Sequence, residues 1–273
     1  MTRLTADLIE GVPSDKINLD SLLLSATGRN MREIALEAAG LDGTGIDLSA
    51  YTVSVVPITS GLGIIGGFSD SVSAIVKRLG MDSEVTSNTD VAGFSEGVER
   101  GSDIIMMADD KRFVAYNTRC NRFTDNAYGT AMGYSVVLHD AARGLDGKDV
   151  LVIGAGFVGS HAVRILKDMG ANVTVTDIIR EKGERLVAKY GVKFEPSMEK
   201  GLADHTLVLN AAPVIIPGEL ISDGTICSTP GVPHYFDSEG RRRAKFIIHD
   251  PLEIGTAVMA VNSAGFSFRQ ERN

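Results

Sequence analysis

Cysteine is scarce in this 273-residue chain, which holds only Cys120 and Cys227. The two stand far apart, in no CxxC or Cys/His spacing, so neither a zinc site nor a disulfide framework is expected. The five histidines are scattered too, and no metal is expected. Basic surplus is also missing. There are 27 lysines and arginines against 35 aspartates and glutamates, a net charge of -8 and a pI near 5.2. Binding nucleic acid through its phosphates requires a basic face, so no nucleic-acid partner is expected. The one dense basic run, Arg241-Arg242-Arg243, reads as a solvated turn. No window approaches the roughly 18 consecutive apolar residues of a membrane helix. The first residues carry early acid and no apolar signal core. No membrane partner is expected, and a reducing cytoplasm is the expected compartment. Internal repeats and low-complexity segments are absent.

What remains is an ordinary enzyme composition, 44% hydrophobic and 23% charged, long enough for one large domain or two modest ones. Residues 1–11 pattern as a short amphipathic helix with Thr5 as N-cap, and 29–39 as a second, with Met31, Ile34, Ala35 and Ala38 on one face. Thr52 to Ile58 is β-branched and apolar, a buried strand. A glycine-dense loop follows over 60–67, then a helix capped by Ser69 whose Val72, Ile75, Val76 and Leu79 make an apolar stripe. Strands are expected at 83–86 and 103–107, with a helix at 95–100 between them. Such alternation predicts a parallel sheet with crossover helices. Asn126 to Gly144 reads as a long connecting helix, and 145–148 as a turn. A domain boundary is placed there, separating a substrate domain (1–145) from a dinucleotide domain (146–273). The fold expected is therefore α/β: an N-terminal α/β domain and a C-terminal Rossmann doubly wound parallel sheet.

Alternation restarts at Asp149: strand 149–153, helix 157–169, strand 172–176, helix 180–190, strands near 206–210, 224–228 and 245–248, and a closing helix from Pro251. Between the first strand and helix lies Gly154-Ala155-Gly156-Phe157-Val158-Gly159. A GxGxxG in that setting has a mechanical reading. The first glycine turns the chain sharply, the second leaves room for a pyrophosphate, and the third lets helix and strand close together. Free N–H groups and the positive helix end then face the diphosphate. Asp177 ends the second strand, eighteen residues beyond Gly159. An acid there accepts the ribose hydroxyls and repels a 2′-phosphate, so NAD is the expected cofactor, with Arg180 near enough in sequence to blur the preference. Asn210-Ala211-Ala212-Pro213 and Ser228-Thr229-Pro230-Gly231 follow later strands and are expected at the same sheet edge; Ala212, Pro213, Thr229 and Pro230 are taken as cofactor contacts.

Specificity is expected from residues 1–145 and the cleft beside them. Thr59-Ser60-Gly61-Leu62-Gly63 follows a buried strand and precedes a helix, so its N–H groups suit a carboxylate. Asp109-Asp110 follows an apolar strand, where adjacent carboxylates suit a cationic amine or a proton relay through water; a turn or helix cap is the competing reading. Asn117 and Asn126 are candidate amide contacts. His139 and His161 fall on expected helices and read as structural, whereas His234 and His249 fall near strand ends and are acid–base candidates.

The runs Val56 to Gly66 and Ile104 to Asp110, with the glycine turn, Ser228-Thr229-Pro230-Gly231 and Asp250-Pro251-Leu252-Glu253-Ile254-Gly255-Thr256-Ala257, resemble the pyrrolysine biosynthesis dehydrogenases, the PylD family, over nearly the whole chain. The resemblance implies an oxidation of the terminal amine carbon of 3-methylornithyl-N6-lysine, with hydride passing to NAD. The imine then loses ammonia by hydrolysis, and the aldehyde condenses with the α-amine to close the pyrroline ring. It further implies that Ser60 and Asp109 lie near the reacting amine and organise water for proton removal. Leu4 would sit in an N-terminal helix that closes over substrate, and Asp250 would be a further substrate contact beside Thr59 and Asn126, which the reading of the loops already offers. Asp250 stands where the family carries a glutamate, and Arg119 to Thr124 matches poorly. A homodimer is the expected assembly.

Two other readings compete. A related two-domain amino-acid or methylene-tetrahydrofolate dehydrogenase would want a lysine base in the first domain, where only Lys77 and Lys111 come near the loops and neither sits at a strand end. An NAD-sensing module without turnover would want a partner domain such as a basic helix-turn-helix, and none is visible.

Overall fold

Among the described residues the chain folds as two large sheets, built where β-branched apolar runs alternate with helices, and one small two-stranded sheet. The computed structural model describes residues 4–9, 12, 16–233 and 235–271. In chain order the first elements are α1 (Ala6–Ile9), α2 (Lys16–Thr27), α3 (Met31–Ala38), β1 (Thr52–Val56), α4 (Phe68–Arg78), β2 (Asp82–Val85), α5 (Asp90–Glu99), β3 (Ile104–Ala108), β4 (Phe113–Asn117), β5 (Arg122–Asp125) and α6 (Asn126–Ala141). They are followed by β6 (Asp149–Ile153), α7 (Phe157–Asp168), β7 (Asn172–Thr176), α8 (Arg180–Tyr190), β8 (Lys193–Phe194), α9 (Met198–Asp204) and β9 (Leu207–Asn210). The chain ends with β10 (Ile215–Ile216), β11 (Ile226–Ser228), β12 (Tyr235–Phe236), α10 (Ser238–Arg243), β13 (Phe246–Ile248) and α11 (Glu253–Glu271). Two compact units result, one of Met1–Ser21, Arg29–Gly133 and Pro251–Asn273, the other of Leu22–Gly28 and Tyr134–Asp250.

In the first unit the strand order is β2-β1-β3-β4-β5. β1 lies parallel to both β2 and β3, and four of its five residues are buried. α4 packs against it through Val72, Ile75, Val76 and Leu79, all fully buried. The helix begins after Gly67, whose left-handed φ of 77° turns the chain into it; Ser69 is buried inside the first turn and is not the cap. α3 is closed by a capping box between Asn30 and Glu33. Of the helix expected over 1–11, Ala6–Ile9 is described and packs on α4; residues 1–3 and 10–11 lie outside the described residues.

The first sheet is not purely parallel, as alternation alone predicted. β3 pairs antiparallel with β4, and β4 with β5. A parallel return takes a crossover of a dozen or more residues, and only Asp109–Arg112 separate β3 from β4. The second turn is fixed by Asn117, whose side-chain oxygen accepts the N–H groups of Arg119 (3.0 Å) and Cys120 (3.1 Å).

The division also differs from a single cut after residue 145. α11 belongs to the first unit. Residues 253–265 are all buried, as suits a helix apolar around most of its circumference, and the helix packs on α3, α4, β4 and β5. Ser263 Oγ donates to the Ala115 carbonyl at 2.7 Å, and Asn117 donates to the Ser263 carbonyl at 2.8 Å. Gly133 and Gly129 of α6 sit against Ile254 and Met259 of α11.

The second unit is a doubly wound sheet of six parallel strands, ordered β13-β11-β9-β6-β7-β8. Counted in chain order this is 6-5-4-1-2-3, the dinucleotide-binding arrangement. Its core gathers Leu151, Ile153, Leu202, Val208, Ile216, Ile221, Cys227 and Phe236. Burial there pushes the Cys227 thiol up to about 12, which makes it inert packing. Within α10, Arg242 and Arg243 both pair with Glu239, whose carboxyl they pull down to about 2. The basic run is helical, a change from the expected turn.

One buried ion pair ties α11 into the first unit: Arg78 to Glu253, 2.5 Å apart, with side chains 11% and 4% exposed. Removing one partner strands a buried charge, at about 3–5 kcal/mol. Glu253→Ala is therefore expected to lower unfolding stability by about that amount in denaturant titration, and Arg78→Met with Glu253→Leu to recover most of it. A single variant within about 0.5 kcal/mol of the parent would remove the pair from the account.

Candidate active site

The six-residue turn after β6 has the geometry its glycines suggested. Gly154 adopts φ +95°, open to glycine and strained for other residues. A methyl group on Gly159 would overlap the Gly154 carbonyl oxygen, so α7 can approach β6 this closely only with glycine there. Around Gly156 a methyl would meet nothing within 4 Å. Open space thus lies where a pyrophosphate has to approach. Phe157 is 79% exposed at the first position of α7, with Val158 half-buried behind it.

Asp177 closes this turn from the next strand. Its Oδ2 accepts the Ala155 N–H at 2.6 Å and its Oδ1 the Ile179 N–H at 2.7 Å. A carboxylate has roughly four acceptor positions, so room remains for two ribose hydroxyls. The next residues, Ile178 (99% exposed) and Ile179, carry no charge for a 2′-phosphate. Arg180 is committed elsewhere: its Nε lies 2.6 Å from Glu184 and its guanidinium packs over Phe194. Two further strand-end loops are knitted to each other beside β6. Asn210 donates to Thr229 Oγ1 (3.3 Å) and accepts from Ala212 N (3.1 Å), while Gly231 N–H reaches the Asn210 carbonyl. Pro213 is exposed and Pro230 half-buried on these loops.

His249 and Asp250 follow β13 in the same unit. His249 Nδ1 lies 2.7 Å from the Thr229 carbonyl, which makes it the protonated nitrogen, and burial holds its pKa below the ordinary 6.5. Asp250 is buried, and its Oδ2 accepts the Tyr134 hydroxyl at 2.7 Å. Its backbone N–H in turn reaches the Tyr134 oxygen at 2.9 Å. The short side chain at a position expected to touch substrate therefore has a structural partner within its own unit.

In the first unit, parallel β2, β1 and β3 send their carboxyl ends to one edge. That brings together Thr59 and Ser60 after β1, Asp90 after β2, and Asp109 and Asp110 after β3. Thr59 gives its N–H to Asp90 Oδ1 (2.8 Å) and its hydroxyl to Oδ2 (2.6 Å). Asp90 holds the left-handed φ of 54°, which aspartate tolerates better than most residues. Sequence reasoning missed it. The Thr89-Asp90 pair at the start of a helical pattern was the one local cue. Thr59 and Ser60 are exposed.

Asp109 Oδ1 accepts the N–H groups of Arg112 (2.7 Å) and Lys111 (2.8 Å), and its own N–H bonds the Arg112 carbonyl. The turn role anticipated for it is thus present. Those two backbone donors, Arg112 first, hold its carboxyl below the 3.8 of an ordinary aspartate. Asp110 points instead to the glycine loop, its Oδ2 accepting the Leu62 N–H at 2.7 Å.

The remaining candidates scatter. Leu4 is half-buried just ahead of α1, and Asn126 opens α6 with Thr130 bonded to its side-chain oxygen. Asn117 is fully buried and structural. His139 bonds Asp140, and His234 lies outside the described residues. Lys77 sits in the last turn of α4 and Lys111 in the β3–β4 turn.

Residues 9–124 match the family model "Pyrrolysine biosynthesis protein PylD, N-terminal domain", and 123–225 match "Alanine dehydrogenase/PNT, C-terminal domain". The pyrrolysine synthase of Methanosarcina barkeri is 36% identical over 90% of this chain and 95% of its own length. That of Methanosarcina acetivorans is 34% identical, over 90% and 96%. The chain belongs to the pyrrolysine synthase family. Its fold is shared with shikimate 5-dehydrogenase from Thermus thermophilus, at a TM-score of 0.54 and 14% identity, covering 81% of this chain and 99% of that one. This pyrrolysine synthase relative is thus an oxidoreductase, a dehydrogenase of pyrrolysine biosynthesis with a dinucleotide-binding unit. Among the described residues no helix is long and apolar enough to cross a membrane.

The turn geometry makes a direct prediction for the family's cofactor half. Gly159→Ala forces α7 off β6, an overpacking of about 1–3 kcal/mol, or roughly 5- to 150-fold if it falls on affinity. NADH binding followed by fluorescence titration is expected to weaken by that factor while the circular dichroism spectrum is kept. Unchanged affinity would show that the turn does not hold the dinucleotide.

Proposed function

We propose that this protein oxidises the terminal amine carbon of 3-methylornithyl-N6-lysine with NAD and closes the pyrroline ring of pyrrolysine. The observation that carries the reading is the meeting of Ser60 and Asp109 at one sheet edge, in a chain over a third identical to a pyrrolysine synthase along nearly its full length. NAD, when bound, supplies the hydride acceptor.

The chain's own residues do the rest. An alkylammonium has no lone pair to drive hydride loss, so it must first give up a proton. Asp109, ionised at neutral pH and with Oδ1 held by its turn, attracts the ammonium and orders the water that carries the proton away. A carboxyl this acidic is a poor base by itself, which favours relay through water over direct transfer. Ser60, with a hydroxyl that both donates and accepts, steers that water or the amine. Loss of hydride leaves an imine, water adds and ammonia departs, and the aldehyde condenses with the α-amine, releasing one water. The net change is loss of one ammonia and two hydrogens. The charge of -8 also suits a substrate bearing several amines. The preference for NAD over NADP is supported by Asp177, which suits the ribose hydroxyls, and by Arg180, the cation three residues on, being paired with Glu184.

Incubation with NAD and synthetic 3-methylornithyl-N6-lysine is expected to give NADH and a product lighter by one ammonia and two hydrogens, with little turnover on NADP. Asp109→Asn is expected to keep NADH affinity and lose on the order of 100-fold or more in kcat. Folded, NADH-binding protein that makes no product would end this reading, and near-normal Asp109→Asn rates would remove that carboxylate from it.

The pH profile tests the relay separately. A depressed carboxyl keeps its charge as pH falls until below 3.8. The substrate amine titrates near 10, as lysine does. The logarithm of kcat/KM should therefore rise steadily between about pH 5 and pH 8 with no carboxylate inflection. An inflection in that range that disappears in Asp109→Asn would instead assign Asp109 as the direct base.

A further inference from the structure

Ser60 sits in an exposed loop whose apolar side chains hold little of it in place: Leu62 is 76% exposed and Ile64 50%. Segments with few buried apolar contacts open readily. Two carboxylates from neighbouring strand ends bind the residues on either side of Ser60. On the near side, Asp90 takes both the N–H and the hydroxyl of Thr59, and is itself anchored by its N–H on the Pro57 carbonyl and by the Thr89 hydroxyl. On the far side, Asp110 takes the Leu62 N–H at 2.7 Å. Gly61 has φ +73°, and a methyl group on it would overlap the Asp110 carboxylate. The glycine at 61 is what lets Asp110 reach the loop. Asp110 is also the residue next to Asp109, within a turn closed by three hydrogen bonds between Asp109 and residues 111 and 112. One short turn thus carries both Asp109 and the carboxylate that grips the Ser60 loop.

We propose that Asp110 is a positioning residue that couples Asp109 to Ser60, fixing the spacing of the two groups through its hydrogen bond to Leu62. The inference rests on the functional reading above, which places Ser60 and Asp109 at the reacting amine. A misplacement of about 1 Å at a reacting group can cost on the order of 100-fold in rate.

Asp110→Ala, Asp110→Asn and Gly61→Ala test it. Asparagine keeps an acceptor oxygen in the same place without the charge. Asp110→Ala is expected to lower kcat by about 100-fold with NADH affinity and melting temperature kept, Asp110→Asn to restore the rate to within about 5-fold, and Gly61→Ala to reproduce the alanine defect. Amide hydrogen exchange gives a readout that needs no substrate: protection of residues 59–63 should fall in Asp110→Ala and Gly61→Ala and return in Asp110→Asn. If wild-type protein turns nothing over while exchange behaves as stated, the clamp stands and the functional reading fails. Exchange unchanged in Asp110→Ala would overturn the clamp. So would wild-type rates in Asp110→Ala, or a defect in Asp110→Asn as deep as in the alanine variant.

Discussion

Parallel pairing sends the carboxyl ends of neighbouring strands to one sheet edge, and in each unit that edge collects the residues equipped for chemistry. In the second unit the register of β6 with β7 places Ile153 opposite Thr176, so the glycine turn and Asp177 leave their strands side by side. In the first, Val56 of β1 lies opposite Met107 of β3, so the Ser60 loop and the Asp109 turn leave side by side as well. The proposed chemistry depends on that adjacency. An antiparallel β1–β3 pair would put Ser60 and Asp109 at opposite ends of the sheet.

At these edges carboxylates are held by backbone N–H groups in preference to cations. Asp90 accepts from Thr59, Asp109 from Lys111 and Arg112, Asp110 from Leu62 and Asp177 from Ala155 and Ile179. The consequence is chemical as well as structural. The Thr59 hydroxyl and N–H keep Asp90, and the Arg112 and Lys111 N–H groups keep Asp109, below the ordinary carboxylate range, so both stay ionised at neutral pH. A negative edge of this kind suits the polycationic substrate proposed above, whereas arginine-paired acids would have lost much of that field. Acidity has a cost in basicity, which in the proposed reaction sends the amine proton out through water.

The parts legible in sequence were those decided within a few residues. The turn 154–159, its flanking strand and helix, and Asp177 follow from local spacing, and the apolar stripe of α4 from its period. What could not be read depends on contacts far apart in the chain. α11 reads as the end of the second domain by position, yet its residues 253–265 are buried against elements that precede residue 126. The β4–β5 hairpin has no Asn-Gly or Asp-Gly turn to announce it; Asn117 and the left-handed Asn121 do that work through side-chain and backbone geometry. Asp250 matched a motif in order and kind, but its shorter side chain meets Tyr134, 116 residues away.

Asp109-Asp110 shows how one sequence feature can split into two jobs. Read along the chain, adjacent acids after a strand are interchangeable, and a turn cap competes with a catalytic pair. In the fold they face different partners. Asp109 folds one oxygen back on its own turn and keeps the other for solvent, while Asp110 reaches across to the loop after β1. The cap and the functional reading are therefore not alternatives. Because a single four-residue turn fixes both side chains, the same backbone hydrogen bonds that orient Asp109 also set how firmly Asp110 grips Leu62, and so where Ser60 stands. A loop with exposed apolar side chains and several glycines is held on its far side by that grip, with Gly61 the residue small enough to permit it.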